Sequence, residues 1–286
     1  MTELRDLVAE ELDLPVDDRV TGMAAAIAAK HGEASRAVLF YGSCLRQQKL
    51  DGLMLDFYLI VSNYRAAYDK SWLAAANRLI PPNVFYFERD GLAAKYAVLS
   101  ERDFHRLNGP ETRNVSVWAR FAQPSRLVWA ADKEAREEVI DAVSRAAPTL
   151  LAAAGVRSKA KPLDAWRRAF ALTYSAELRA ERKGKEASVV DQDRDRYLRF
   201  ADPAIAAAKE LRISRGWRRR RIQGKTLSVL RLVKASATFA GGAEYIAWKI
   251  NRHAGTQIRL KPWQQRHPLL AAITLLPRLL KSGAIR

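Results

Sequence analysis

The sequence predicts an α/β sheet domain, followed by a helical segment and a cationic tail. Three observations carry this. Short apolar, β-prone runs alternate with helical-period segments through the first 130 residues. After Trp129 the chain becomes rich in Ala, Arg and Leu at helical spacing. From Ser214 to Arg286 there are 16 Lys or Arg against one acid, Glu244, whereas the preceding 213 residues hold 33 bases and 30 acids. The expected boundaries are therefore 1–130, 131–213 and 214–286.

The elements follow in order. Thr2 to Leu12 reads as a helix, Pro15 interrupts, and Val20 to Lys30 reads as a second. Arg36 to Tyr41 and Leu55 to Val61 are β-prone runs. "YRAAYDKSWLAAANRL" has helical spacing and should stop at Pro81-Pro82. "NVFYFE" and "KYAVLS" flank the turn Arg89-Asp90-Gly91, and Ser125 to Trp129 is a further strand candidate. Asp132 to Ala154 reads as one long helix with a break near Pro148, and Lys161-Pro162 opens another to about Lys183. A polar loop then leads to a helix ending near Ile213, and Lys225 to Arg252 again shows apolar positions near helical spacing.

Composition narrows the function classes. The 286 residues are 49% hydrophobic, a globular balance with room for a substantial core. The single cysteine, Cys44, excludes an intramolecular disulfide framework. His31, His105, His253 and His267 lack metal-ligand spacing, which argues against zinc. The acidic N-terminus, "MTELRDLVAEELDLPVDD", matches neither a secretory signal nor a transit peptide, so a cytoplasmic location is expected.

The formal charge of +18 is concentrated in the tail, which needs an anionic partner. The apolar stretch Leu269 to Leu276 is far shorter than the roughly 20 residues of a spanning helix. Trp217, Trp248 and Trp263 stand among the bases and would suit a single-stranded nucleic acid or a lipid headgroup layer. Aliphatic residues dominate between the charges, which favours an anionic membrane surface and disfavours nucleic acid.

The stretch "VLFYGSCLRQQKLDGLMLDFYLIV" holds the candidate site. Gly42-Ser43 after a strand exposes backbone N–H groups and a hydroxyl to phosphate oxygens. Asp56 near the start of the next strand could hold Mg²⁺ beside them. Read alone, the spacing leaves an ordinary turn and edge acid equally open. Lys95 and Arg120 could neutralise phosphates, or be solvated charges. Glu177 and Arg179, two apart on a helix, do not share a face and so make no obvious structural pair. Cys44 reads as a small side chain beside the turn.

These residues resemble a known family, the mitochondrial translocator assembly and maintenance proteins, which are CTP:phosphatidate cytidylyltransferases. Its "YGSG" turn and "MLDF" strand are mirrored by Tyr41-Gly42-Ser43-Cys44 and Met54-Leu55-Asp56-Phe57. Its "KYGVIS" is mirrored by Lys95 to Ser100, its "AGRLxKP" by Ala119 to Pro124, and its "YSGDxR" by Tyr174 to Arg179. A lysine near Lys234 on a basic C-terminal helix is also typical. The matches run in order from about residue 38 to 250.

The resemblance implies a nucleotidyltransferase-like mixed sheet, a helical and possibly winged-helix second domain, and a basic amphipathic tail. It implies Mg²⁺-dependent transfer of the cytidylyl group of CTP to phosphatidate, giving CDP-diacylglycerol and pyrophosphate. Gly42, Ser43 and Lys95 would bind the nucleotide; Asp56, Lys95 and Arg120 would act in catalysis. Asp56, Glu177 and Glu88 would be the metal candidates, with Asp51 a further option for a second acid. Met54 and Tyr58 stand where a D-x-D pattern would place that acid. Arg218, Arg219, Arg220, Arg221, Lys225 and Lys234 would meet lipid, placing the protein peripherally at the cytoplasmic face of a bacterial inner membrane. Homo-oligomerisation is left open. The departures are Cys44 and Ala97 for glycines, Gln123 for lysine and Glu177 for aspartate.

Overall fold

A computed structural model describes residues 2–47, 50–156, 161–177, 189–214 and 216–238. Arg179, Trp248, Trp263 and the 269–276 stretch lie outside the described residues.

Five strands form one mixed sheet in the order β3-β4-β2-β1-β5. They are β1 (Ser35–Tyr41), β2 (Met54–Val61), β3 (Asn83–Arg89), β4 (Leu92–Ser100) and β5 (Ser125–Ala130). The β2–β4 pair is parallel and the other three pairs are antiparallel. Asp90 and Gly91, both at positive φ, close the β3–β4 hairpin, as Asp-Gly turns do. The α/β expectation is met, and the sheet is mixed.

Alternation along the strands sends side chains to two separate cores. Val38, Phe40, Leu55, Phe57, Leu59 and Val98 pack beneath the Asp18–Ala29 helix. Leu39, Tyr58, Ile60, Ala97 and Leu99 face the opposite way. They share one continuous core with Trp118, Ile140, Leu150, Trp166, Phe170 and Tyr197 from the helices that follow. The helices of the second half thus close over one face of the sheet.

Helix ends follow local chemistry. Asp17, Ser100 and Asp132 accept backbone N–H bonds at the starts of the helices after them. The expected long helix is two, Lys133–Ser144 and Ala146–Ala153. The interruption falls at Arg145 rather than at Pro148, because a proline fits a helix's first turn but cannot donate to the carbonyl four residues back, that of Ser144. The next two helices are Pro162–Ala176 and Arg194–Lys209, both ending before the expected points.

The last described helix, Trp217–Thr238, begins eight residues before the periodic segment at Lys225 and lies against the body. Arg220, Gly224, Arg231 and Lys234 fall on one face at helical spacing. Arg220 donates to the carbonyls of Thr112, Arg113 and Ser214. Trp217 Nε1 donates to the Ala153 carbonyl at 2.9 Å. A Cβ on Gly224 would lie 2.2 Å from the Ala176 carbonyl oxygen, so only glycine allows this approach. The inward stripe is dominated by hydrogen-bonding groups and a glycine, with Leu227 the aliphatic side chain among them.

Candidate functional site

Strand register builds the first part of the site. Residues directly opposite one another in a sheet share a face. Tyr86 pairs with Lys95, Lys95 with Asp56, Asp56 with Tyr41, and Tyr41 with Ser125. One lateral row therefore crosses all five strands on the face that the later helices cover. Within it, Lys95 Nζ and Asp56 Oδ1 are 2.9 Å apart, with side chains 24% and 17% exposed.

Gly42 ends β1 with φ +96°, a conformation that L side chains rarely adopt. A Cβ there would lie 3.0 Å from Asp56 Oδ2, so the turn presses its backbone against the carboxylate. Ser43 opens the short helix Ser43–Gln47. Cys44 is buried, with its Sγ 3.4 Å from the Met54 carbonyl, consistent with a small packing side chain.

The second part lies deeper along the same face. Tyr58, two residues past Asp56, packs edge-on against Phe121 and beside Tyr41. Burial raises the pKa of both phenols, with the charge on Asp56 adding to it and Arg120 opposing. They are held neutral. Arg120, on the short helix Trp118–Phe121, bonds to the Ser116 carbonyl and to Glu177 Oε1 at 3.3 Å. Burial disfavours its charge, but the Glu177 carboxylate outweighs that, and the guanidinium stays ionised. Glu177, the extended residue that ends the Pro162–Ala176 helix, is 7% exposed.

Arg231 was not a sequence candidate. Its Nε donates to the Pro81 carbonyl at 2.8 Å and its Nη1 to Ser116 Oγ at 2.9 Å. Ser116 thus joins two guanidinia, taking Arg120 on its carbonyl and Arg231 on its hydroxyl. Three residues on, Lys234 donates to the Ile80 carbonyl and to that of Pro82 at 2.8 Å. Burial, then Arg231, pushes its pKa down to about 7. The signal for both was present in "RLVKAS": two bases one turn apart inside an aliphatic stretch.

The remaining candidates stand apart from this cluster. Glu88 accepts from Tyr86 Oη at 2.8 Å on the exposed end of the edge strand β3. Asp51 is exposed and paired with Arg19 at 3.1 Å. Gln123 accepts from Arg46 at 3.1 Å and donates to the Ala119 carbonyl. Arg220 is buried, so it is not presented to a lipid surface, and Lys234 is turned inward. Arg218, Arg219, Arg221 and Lys225 are the expected lipid-facing cations that are exposed.

Among the described residues no group of three or more His, Cys, Asp or Glu could hold a metal ion. Glu88 is engaged by Tyr86, and Glu177 by Arg120. The donor set fits a cation only in the mode Mg²⁺ adopts with nucleotides, where one carboxylate is joined by water and phosphate oxygens. Asp56, itself bridged to Lys95, is the carboxylate that lies against the Gly42 turn. Chemically, the arrangement is an Asp56–Lys95 ion pair of zero net charge beside Arg120, Arg231 and Glu177, two cations against one carboxylate. Such a site favours an anion.

No protein-family model matches the chain, and no curated protein sequence is significantly similar to it.

Proposed function

We propose that the protein is a CTP:phosphatidate cytidylyltransferase working at a membrane surface. The observation that carries this is the sheet row in which Asp56 and Lys95 meet under the positive-φ turn Gly42-Ser43. It supplies a carboxylate, an ammonium and a close-approaching backbone at one end of a strand pair. The resemblance of the ordered motifs from Tyr41 to Arg179 supports CTP and phosphatidate as the substrate pair.

In the reaction, a phosphatidate oxygen forms a bond to the α-phosphorus of CTP. The bond from that phosphorus to the bridging oxygen breaks, and pyrophosphate leaves with the electron pair. A phosphomonoester with a second pKa near 6 is largely dianionic at pH 7, so the step needs no strong general base. Lys95 is placed to meet triphosphate oxygens, with Asp56 orienting its ammonium. Gly42 and Ser43 hold the phosphates through backbone N–H groups, and Arg120 adds charge deeper in the site. Positioning and fixed charge are the means of acceleration. A magnesium ion on Asp56 would neutralise charge on the leaving pyrophosphate.

Membrane association is supported by the outward side of the Trp217–Thr238 helix, where Arg218, Arg221 and Lys225 surround Ile222, itself 61% exposed. Among the described residues no helix is long and apolar enough to cross a membrane.

The test is turnover by the full chain with Mg²⁺, phosphatidate vesicles, and CTP or ATP. CTP-dependent formation of a liponucleotide is expected, and Asp56→Asn should abolish it while retaining a cooperative melt. Turnover with ATP alone, or an RNA-dependent reaction, would refute the assignment. Met54 and Tyr58, standing where a D-x-D pattern would put a second acid beside Asp56, favour a second reading, a catalytically silent protein that docks at membranes. Calorimetry showing no CTP binding in the presence of Mg²⁺ would select it.

A further inference from the structure

The helix Ser71–Leu79, "SWLAAANRL", contains no acid. Asn77 is buried on its inner side, where its amide donates to the Val98 carbonyl at 2.9 Å and anchors the helix to β4. Trp72, Ala75 and Leu79 fall on the opposite side at i, i+3 and i+7, and all three are exposed. Trp72 is 48% and Leu79 79% exposed, among the largest apolar exposures of the described residues. Lys70 and Arg78 flank them, both exposed. Nothing in the fold of the sheet requires an indole and a leucine there. The helix is already fixed by Asn77 and Ala74 on its inner side.

The position of this face identifies its occupant. Lys234 donates to the carbonyl of Ile80, the residue directly after Leu79. The C-terminal helix therefore reaches the end of the Ser71–Leu79 helix at its own last described turn. From Thr238 the sequence continues for residues 239–286, which carry eight Lys or Arg and one acid. A further net-cationic stretch thus follows the helix that ends beside the exposed Trp72–Leu79 face.

We infer that the Trp72–Ala75–Leu79 face is a second lipid contact, inserted into the headgroup layer of an anionic bilayer next to where the tail leaves the body. An indole suits the boundary between headgroups and acyl chains. A leucine one further turn along the same face adds apolar depth, and flanking Lys70 and Arg78 match the negative surface potential. The helix itself carries no acid to oppose such contact, and exposed Asp69 just before it is offset by Lys70. This rests on the membrane part of the proposed function, and it is independent of CTP chemistry.

The full chain carrying Leu79→Cys would be labelled with an environment-sensitive dye; Cys44 is buried, which directs the dye to residue 79. Vesicles of neutral phosphatidylcholine and of phosphatidylcholine with phosphatidate would then be titrated. The expected result is a blue shift with anionic vesicles only. Trp72→Ser with Leu79→Ser should weaken sedimentation with those vesicles about tenfold or more. The melting temperature should stay unchanged, because both side chains are exposed.

A dye already shielded without vesicles would mean that the face is covered by the chain's own tail or a second copy, and would overturn the inference. So would vesicle binding by the full chain with no dye response. A blue shift with RNA and none with vesicles would assign the face to nucleic acid instead. Vesicle binding without liponucleotide synthesis would leave the contact standing while removing the enzymatic reading.

Discussion

Replacing Gly224 by alanine sets two physical effects against each other. In an isolated helix the change should stabilise by about 1 kcal/mol, the difference in helix propensity. In this protein the new Cβ would stand 2.2 Å from the Ala176 carbonyl oxygen and 3.1 Å from its carbon. Non-bonded carbon contacts settle at about 3.5 Å or more, so the helix would have to retreat by roughly 1 Å. Overpacking of that kind costs roughly 1–3 kcal/mol. The retreat also draws Arg231 and Lys234 away from Ser116, Pro81, Ile80 and Pro82. A hydrogen bond involving a charged group contributes about 1.5–3 kcal/mol, and losing one of the set is enough to reverse the propensity gain.

The net expectation is a loss of about 2–3 kcal/mol, read as a lower urea midpoint, with faster proteolysis inside 217–238. Gly22→Ala is the control. That glycine lies within the Asp18–Ala29 helix with nothing within 4 Å of the added Cβ, and it should gain roughly 0.5–1 kcal/mol. If Gly224→Ala were as stable as the parent, or more so, the close docking of the C-terminal helix would be wrong.

Three further outcomes follow from the same geometry. Gly42→Ala should cost about 1–2 kcal/mol through its φ of +96° and displace the Asp56 carboxylate, so calorimetry should show weakened CTP binding; unchanged binding would show that the turn does not shape the site. The Glu11–Arg196 pair joins the first helix to the Arg194–Lys209 helix with both side chains nearly buried, so Glu11→Ala should cost about 3–5 kcal/mol in urea unfolding, and the double change to methionines distinctly less. Lys234 holds its pKa at about 7 against an ordinary 10.5, so between those values the unfolded chain binds a proton that the folded chain has released, and stability should rise with pH across that window. A urea midpoint climbing equally in the parent and in Lys234→Met from pH 7 to 9.5 would contradict this.

The strands were legible because burial on both faces leaves short, nearly continuous apolar runs, which turn residues such as Gly42, Pro82, Gly91 and Pro124 punctuate. Gly42, Asp56 and Lys95 were legible as a set because strand ends announce themselves through glycine and through an acid inside an apolar run. That Lys95 faces Asp56 was not, since parallel pairing between strands separated by β3 is set by register that local sequence does not encode. The C-terminal helix misled more deeply. Hydropathy detects helices that bury mostly leucines, whereas this one presents Arg220, Gly224, Arg231 and Lys234 to the body alongside Leu227. Four cations in a row at Arg218 to Arg221 read alike in sequence, yet a rotation of 100° per residue turns one of them inward.

That inward-facing helix fixes where the chain can be cut. A deletion starting at Ser214 would remove cationic sequence and, with it, the groups that hold Ser116 and the Pro81-Pro82 turn. It would also uncover Trp118, against which Arg220 rests. Loss of vesicle binding in such a truncation would report a damaged body as readily as a missing anchor. Ending the chain after Thr238 instead leaves Arg231, Lys234 and Gly224 at their partners, and isolates what residues 239–286 contribute.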